Sequence, residues 1–235
     1  MSRTDRLIVP LDVDSAEIAM NLVAEIGDSV LWYKVGKQLF TREGPDIVRQ
    51  LKAKGKRVFL DLKFHDIPNT VAQAVRSATE LGADIVNVHA SGGRAMMAAA
   101  AEAKTGDALV IAVTVLTSLD REALEEVGID APVDEQVVRL ASLAQEAGLA
   151  GVVASGKESA LIREACGPDF VQVIPGIRPA GSAANDQKRV LTPGDAISCG
   201  AHYLVVGRPI TKADNPAAAA RAIVEEIDSA AGPDS

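Results

Sequence analysis

The sequence is poor in aromatic residues, in cysteine and in positive charge. Aromatic side chains make up 3% of the 235 residues, too few for the stacking platforms on which single-stranded nucleic acids bind. The 24 basic and 32 acidic residues give a formal net charge of −8, which argues against a general surface for nucleic-acid polymers or anionic membranes. The two cysteines, Cys166 and Cys199, are too few for a disulfide scaffold, and their spacing is no metal signature.

Long hydrophobic runs are also missing. No segment approaches the roughly 18 apolar residues that a membrane helix needs. Residues 1–6 are polar and charged, unlike the start of a signal peptide, so we expect a cytoplasmic protein without a membrane partner. Hydrophobic residues nevertheless make up 48% of the chain, enough to bury a sizeable core.

The sequence does contain a regular alternation of short apolar runs with longer amphipathic ones. The short runs are rich in β-branched residues and predict buried strands at 7–11, 30–35, 58–62, 85–88, 109–115, 151–154, 171–174 and 203–206. The amphipathic runs predict helices at 15–26, 45–54, 71–81, 95–103, 134–147, 159–165 and 216–227, with an extra helix around 121–127. Asp14 followed by Glu17 predicts a capping box at the start of the first helix.

This alternation predicts the fold class. Strands that are apolar almost throughout are covered on both faces, which is typical of a parallel sheet. Eight strand-helix units without a linker favour an α/β fold, a single-domain (β/α)8 TIM barrel over 1–235 with 1–6 and 232–235 as short terminal extensions. A doubly wound open sheet is the alternative, but it usually has a glycine-rich turn after its first strand, and residues 11–15 contain no glycine.

Charged residues stand at the ends of the first three predicted strands. Asp12 ends the first and Lys34 lies in the second. Asp61 and Lys63 are two residues apart, on the same side of the third strand, and Asp66 follows in the loop. Buried charges are costly unless they are compensated, so stability alone is a weak reason to build such a cluster. Because the carboxyl ends of barrel strands carry the chemistry, the pattern favours a functional site over structural ion pairs.

The last two strands are followed by residues suited to phosphate. Arg178 follows the seventh strand, and Gly207 and Arg208 follow the eighth, where barrels commonly bind phosphate. Solvent-exposed surface arginines are the alternative interpretation. Gln187, in the loop after the seventh strand, is uninformative by itself. Three histidines are not spaced as ligands of one metal, and for each we expect either a structural role or a role in supporting the residues that contact the ligand: His65, His89 and His202.

Several segments together resemble a known family. Asp61, Lys63 and Asp66 form a D-x-K-x-x-D motif, and with Ile67-Pro68-Asn69-Thr70 it resembles the signature of the orotidine 5′-phosphate decarboxylase family. Further segments match in the family's order, so that the resemblance spans about 7–211: 11–12, 33–36, 113–118, 175–178, 186–187 and 206–208. The motif alone is only moderately specific, because related sugar-phosphate decarboxylases and aldolases share it.

The resemblance implies a lyase that converts orotidine 5′-monophosphate to uridine 5′-monophosphate and CO2 in de novo pyrimidine biosynthesis, with no cofactor and no metal. It implies that Lys63 is the acid that protonates C6 of the pyrimidine and that Asp61 sits beside the substrate carboxylate. Lys34 would contact the ribose hydroxyls and Asp61. Asp66 would be supplied to the site of the neighbouring subunit, so that a homodimer with shared sites is implied.

The remaining residues of the implied site bind the substrate. Asp12 and Thr70 would hold ribose hydroxyls, and Thr117 would lie at the edge of the pyrimidine. Gln187 would bridge base and phosphate. The phosphate end would consist of Arg178, Gly207 and Arg208.

Two other functions stay open. A Mg²⁺-dependent keto-sugar-phosphate decarboxylase or synthase would share the D-x-K-x-x-D motif and the phosphate loops, but it would need metal ligands and no base-reading Gln187. A non-catalytic barrel that binds nucleotide phosphates would be expected to have a broken Lys/Asp array, whereas here the array is complete.

Overall fold

The computed structural model describes residues 5–179 and 191–231. Eight parallel strands close into a barrel in sequence order, each paired with its neighbours and β8 with β1. The strands are β1 Leu7–Pro10, β2 Trp32–Gly36, β3 Arg57–Phe64, β4 Ile85–His89, β5 Leu109–Val113, β6 Gly151–Val153, β7 Val171–Pro175 and β8 Tyr203–Val205. The closed order confirms the predicted barrel and excludes the open sheet.

Helices alternate with these strands. Over the described residues they are α1 Ala16–Ile26, α2 Lys37–Glu43, α3 Asp46–Ala53, α4 Pro68–Glu80, α5 Gly93–Ala103, α6 Arg121–Glu126, α7 Val133–Glu146, α8 Ser159–Cys166, α9 Pro193–Ser198, α10 Arg208–Thr211 and α11 Pro216–Ala231. No helix within 5–179 or 191–231 is long and apolar enough to cross a membrane.

The predicted elements are found, with three omissions and one wrong cap. All eight strands and the extra helix α6 are present near their expected positions. The short helices α2, α9 and α10 were not predicted, because each is at most two turns long and has little room for a periodic pattern. The capping box of Asp14 and Glu17 is wrong: the N-cap of α1 is Ser15, whose side chain accepts a hydrogen bond from the N–H of Ile18.

Two apolar cores lie on opposite faces of the sheet. The larger one lies between the barrel and its helices. The smaller one fills the barrel interior with Ile8, Trp32, Phe59, Ile85, Ile111, Val173 and Tyr203. Two residues further along the same strands, at the next interior positions, the side chains of β2, β3 and β4 are Lys34, Asp61 and Asn87. The interior therefore changes from apolar to charged towards the carboxyl ends of the strands.

One glycine is required by close packing of two strands. A Cβ at Gly151, on β6, would lie 2.0 Å from the carbonyl oxygen of Val171 on β7. Because the obstacle is backbone, no side-chain rearrangement can relieve it. Gly151 thus permits the β6–β7 contact that helps close the barrel.

Candidate active site

The end of β3 departs from regular strand geometry. Leu60 pairs with Val86 and Phe64 with Val88, so β3 advances four residues while β4 advances two. Lys63 lies in this bulge with φ of 54°, the one positive φ among the described residues other than glycine. The strict alternation of side chains from which the sequence places Asp61 and Lys63 on one side of the strand does not hold through the bulge. The two side chains are nevertheless in contact, because the Nζ of Lys63 donates a hydrogen bond to Oδ1 of Asp61.

Four charged side chains, one from the segment after β1 and three from β2 and β3, form one alternating array. The Nζ of Lys34 lies 3.0 Å from Oδ1 of Asp12 and 3.3 Å from Oδ2 of Asp61. Asp61 in turn pairs through Oδ1 with Lys63. Lys34 and Asp61 are buried, whereas Asp12 is exposed. The structure therefore brings Asp12, Lys34, Asp61 and Lys63 together, as the sequence predicts.

The array keeps the Asp61 carboxyl ionised. Burial by itself raises the pKa of this carboxyl. The charges of Lys34 and Lys63, with hydrogen bonds from Lys63 and Asn87, outweigh burial and hold the pKa below its usual range. Asp61 is thus a fixed negative charge between two ammonium groups.

Two cavities meet at this array. The smaller, of about 180 Å³, is lined by Asp61, Lys63 and Thr117 among others. The larger, of about 500 Å³, extends towards the loops after β7 and β8. Both are lined by Lys34, Pro175 and Val205, so they lie side by side at the carboxyl end of the barrel. A ligand can therefore contact the array with one end and the outer loops with the other.

The outer end of the larger cavity contains the expected phosphate residues. Arg178 is buried, and its backbone N–H donates to the carbonyl of Leu191 at 3.0 Å. Arg208 begins α10 and is exposed, and Gly207 directly precedes it. A Cβ at Gly207 would lie 3.1 Å from Cγ of Pro10, so a larger residue would crowd the wall of the cavity.

Two of the predicted site residues, Asp66 and Thr70, do not line either cavity. Asp66 is exposed in the loop after β3, where its Oδ1 accepts a hydrogen bond from the N–H of Ile67 at 2.7 Å. Thr70 is exposed in the first turn of α4. Neither is among the described residues that line the two cavities. Gln187 lies outside the described residues.

Asn87 was missed by the sequence analysis. It is fully buried and donates from Nδ2 to Oδ1 of Asp61 at 2.7 Å. Its Oδ1 accepts from the backbone N–H of Lys63 at 2.8 Å. The signal that could have found it is an amide inside an apolar run, on the same strand side as Ile85.

Two histidines border the array. The rings of His65 and His89 lie 5.6 Å apart between centroids. Burial lowers the pKa of His89, and the charges of His65, Lys37 and Lys63 lower it further, so His89 is neutral at pH 7. Within the described part of the chain, no group of three or more His, Cys, Asp or Glu side chains is placed to hold a metal ion.

Comparison with known proteins gives consistent matches along nearly the whole chain. Residues 5–223 match the model of the "Orotidine 5'-phosphate decarboxylase / HUMPS family". The chain is 56% identical over 237 residues to orotidine 5′-phosphate decarboxylase of Moorella thermoacetica, covering 97% of this chain and 94% of that protein. The enzyme of Syntrophotalea carbinolica is 55% identical over 230 residues, covering 94% of each chain. The crystal structure of orotidine 5′-phosphate decarboxylase from Lactobacillus acidophilus superposes with a TM-score of 0.86 at 38% identity, covering 95% of this chain and 100% of that one.

Proposed function

The chain belongs to the orotidine 5′-phosphate decarboxylase / HUMPS family, and we propose that it converts orotidine 5′-monophosphate to uridine 5′-monophosphate and CO2 in de novo pyrimidine biosynthesis. The observation that carries this proposal is the array of Asp12, Lys34, Asp61 and Lys63 at the meeting point of two cavities. Its ammonium groups supply positive charge to a reacting carboxylate. Arg178 and Arg208, at the other end of the larger cavity, suit a phosphate.

The reaction needs stabilisation of negative charge at C6. The bond between C6 and the carboxylate carbon breaks, CO2 leaves, and the electron pair remains on C6. The ammonium of Lys63 stabilises this charge as it develops and then donates a proton to form the C6–H bond. The resulting neutral amine of Lys63 regains its proton from water. The four charged groups already contact one another, so little reorientation is needed when the substrate arrives.

Asp61 has two parts in this mechanism. Its carboxylate pairs with the Lys63 ammonium and orients it until the proton moves. It also lies where the substrate carboxylate is expected, and the repulsion between the two negative groups is relieved when CO2 departs. The lowered pKa of Asp61 supports both parts, because a protonated carboxyl would perform neither.

The remaining residues bind and orient the substrate. Asp12 and Lys34 are assigned to the ribose hydroxyls, and Thr117 to the pyrimidine edge. Arg178, Gly207 and Arg208 are assigned to the phosphate, whose binding energy is available to the chemical step although it lies away from the breaking bond. We also assign Thr70 to the ribose and Gln187 to the base and phosphate, on the family resemblance.

We further propose a homodimer in which Asp66 completes the neighbouring site. Asp66 is exposed, and the adjacent Ile67 exposes 67% of its surface, which is unusual for a large apolar side chain. A second subunit placed against this loop would cover Ile67 and receive the Asp66 carboxylate close to its own Lys63.

The test is a spectrophotometric assay of the purified protein with orotidine 5′-monophosphate and no added cofactor. Loss of substrate absorbance that persists in EDTA is expected. A protein that is inactive on this substrate but converts a keto-sugar phosphate only with Mg²⁺ would refute the proposal in favour of a Mg²⁺-dependent keto-sugar-phosphate decarboxylase or synthase. Binding of uridine 5′-monophosphate without any turnover would instead favour a non-catalytic barrel.

A further inference from the structure

Asn87 connects the two groups that the proposed reaction depends on most. Its side-chain amide donates to the Asp61 carboxylate at 2.7 Å and accepts from the Lys63 backbone at 2.8 Å. It is 0% exposed and lies on β4, facing the bulge of β3. Asp61 and Lys63 line the smaller cavity, whereas Asn87 is not among its lining residues.

The backbone contact compensates for the bulge. Where β3 advances four residues against two of β4, the regular ladder between the strands is interrupted. A buried backbone N–H without a hydrogen-bond partner is costly. Oδ1 of Asn87 replaces the missing ladder partner by accepting the hydrogen bond of the Lys63 N–H. Lys63 also has a φ of 54°, a conformation that residues other than glycine rarely adopt and that surrounding contacts must maintain.

The chemistry of the two partners determines which amino acid can stand here. The N–H of Lys63 can only donate and the ionised carboxylate of Asp61 can only accept. An amide supplies both complementary groups on one short side chain, and a flipped amide would set donor against donor. Aspartate would retain the acceptor and lose the donor, and an aliphatic residue would lose both.

We propose that Asn87 is a positioning residue of the catalytic site: its amide holds the Asp61 carboxylate in place and fixes the backbone conformation from which Lys63 reaches it. This role deepens the proposed decarboxylase function and rests on it. Asn87 acts on the rate through Asp61 and Lys63 and has no direct contact with the reacting atoms.

The groups that face Asp61 determine the expected pH dependence. They are Lys34 from β2, Lys63 from β3, and Asn87 and His89 from β4, with Asp12 of the β1 end paired to Lys34. In Asn87→Asp a second carboxyl stands against Asp61, and two carboxyls that share a site cannot both ionise at their usual pH. The acid limb of the pH profile of kcat/KM should therefore move up by about one unit or more. In Asn87→Ala the limb should move in the same direction by less, since only one hydrogen bond to the carboxylate is lost.

Gln172 offers a matched control. It is a buried strand amide that makes two hydrogen bonds to Ser159, on β7 and away from the array. Asn87→Ala is compared with Gln172→Ala, and Asn87→Asp with Gln172→Glu. We expect Asn87→Ala to lower kcat by about 10- to 100-fold with KM changed by no more than about threefold. The Gln172 variants should affect thermal stability but leave the acid limb in place.

The proposal is overturned if the folded Asn87 variants keep the wild-type acid limb, or if the Gln172 variants shift it equally. A measurement on the wild-type protein needs no variant to fold. In NMR spectra of the labelled protein, the chemical shifts of the Asn87 Nδ2 protons should change with pH at the same midpoint as the Asp61 carboxyl, and those of the Gln172 side-chain amide should not. Asn87 shifts that do not follow the Asp61 carboxyl would also overturn the proposal. These spectra require no turnover, so a protein inactive on orotidine 5′-monophosphate would refute the proposed function separately.

Discussion

The Nζ of Lys34 lies 3.3 Å from Oδ2 of Asp61, and both side chains are buried. The pair connects β2 to β3 inside the barrel and joins the outer Asp12 to the inner Lys63 through one carboxylate. A buried ion pair is weak evidence for stability, because desolvation can exceed the Coulombic gain. Lys34 lines both cavities and Asp61 lines the smaller one, and the proposed catalytic role of the pair rests on this position.

Lys63→Ala tests the acid. The variant should bind uridine 5′-monophosphate within about tenfold of wild type yet lose most turnover, since general acid catalysis contributes about 10²–10⁴. Stopped assays with orotidine 5′-monophosphate measure the loss, and the exposed Lys54→Ala serves as the control. Lys63→Arg keeps a charge but does not release a proton at neutral pH, so it should remain inactive. Retention of more than about a hundredth of the rate in Lys63→Ala would contradict the assignment.

Arg208→Ala tests the phosphate end. Loss of a charged hydrogen bond is worth about 1.5–3 kcal/mol, so kcat/KM should fall by about 10- to 100-fold. In wild type, added phosphite should accelerate decarboxylation of the nucleoside orotidine, and this activation should weaken in the variant. Arg221→Ala, an exposed arginine on α11, is the matched control. If phosphite never activates orotidine, the phosphate contributes to binding but not to the chemical step.

Asp66 tests the shared site. When inactive Asp66→Asn and inactive Lys63→Ala proteins exchange subunits, each mixed dimer should contain one site with both native residues. Random exchange then restores about a quarter of the sites. Lys63→Ala mixed with Asp61→Asn is the control. Each subunit supplies both residues to its own site, so each site of the mixed dimer keeps one defect and no native site can form. Equal activity of the two mixtures after verified exchange would rule out sharing.

Asp61 makes stability depend on pH. Its folded-state pKa is lowered, so the ionised carboxylate stabilises the fold above the unfolded-state pKa of about 3.9, and this contribution is lost as pH falls through the folded pKa. The free energy of unfolding of wild type should therefore exceed that of Asp61→Asn most at pH 5 to 7, and the gap should narrow below about pH 4. Urea unfolding at a series of pH values measures this gap. Asp46→Asn, which removes an exposed carboxylate on α3, is the control for loss of a carboxylate in general. A constant gap for Asp61→Asn would disprove the linkage.

Gly36→Ala tests whether the ion pair of Asp12 and Lys34 holds the substrate. A Cβ at Gly36 would lie 2.9 Å from Nζ of Lys34 and 3.0 Å from Oδ1 of Asp12. Both atoms are ends of side chains that can move, so the fold should persist while their pairing loosens and KM rises by about tenfold. Gly194→Ala is the control, since its nearest neighbour would be 3.5 Å away. An unchanged KM in a folded Gly36→Ala protein would show that the pair does not hold substrate.

Much of the fold and of the array could be predicted from sequence because the signals are local. Buried parallel strands are apolar on both faces, so a charge such as Lys34 or Asp61 at a strand end stands out. The short helices α2, α9 and α10 could not be predicted, because they contain too few residues for a periodic signal. The N-cap of α1 was assigned to the wrong residue because Asp14 and Ser15 are adjacent and both are residue types that cap helices.

The sequence by itself determined the barrel class, the family and the charged residues of the array. The alternation of strands and helices, the composition and an extended motif are all local patterns that can be recognised without knowing which residues touch. Only the tertiary structure decided which groups touch. The bulge after Leu60, the positive φ of Lys63 and the amide of Asn87 bridging it to Asp61 depend on how β3 lies against β4. A ladder between two strands is set by packing across the barrel, and no pattern within either strand encodes where it is interrupted.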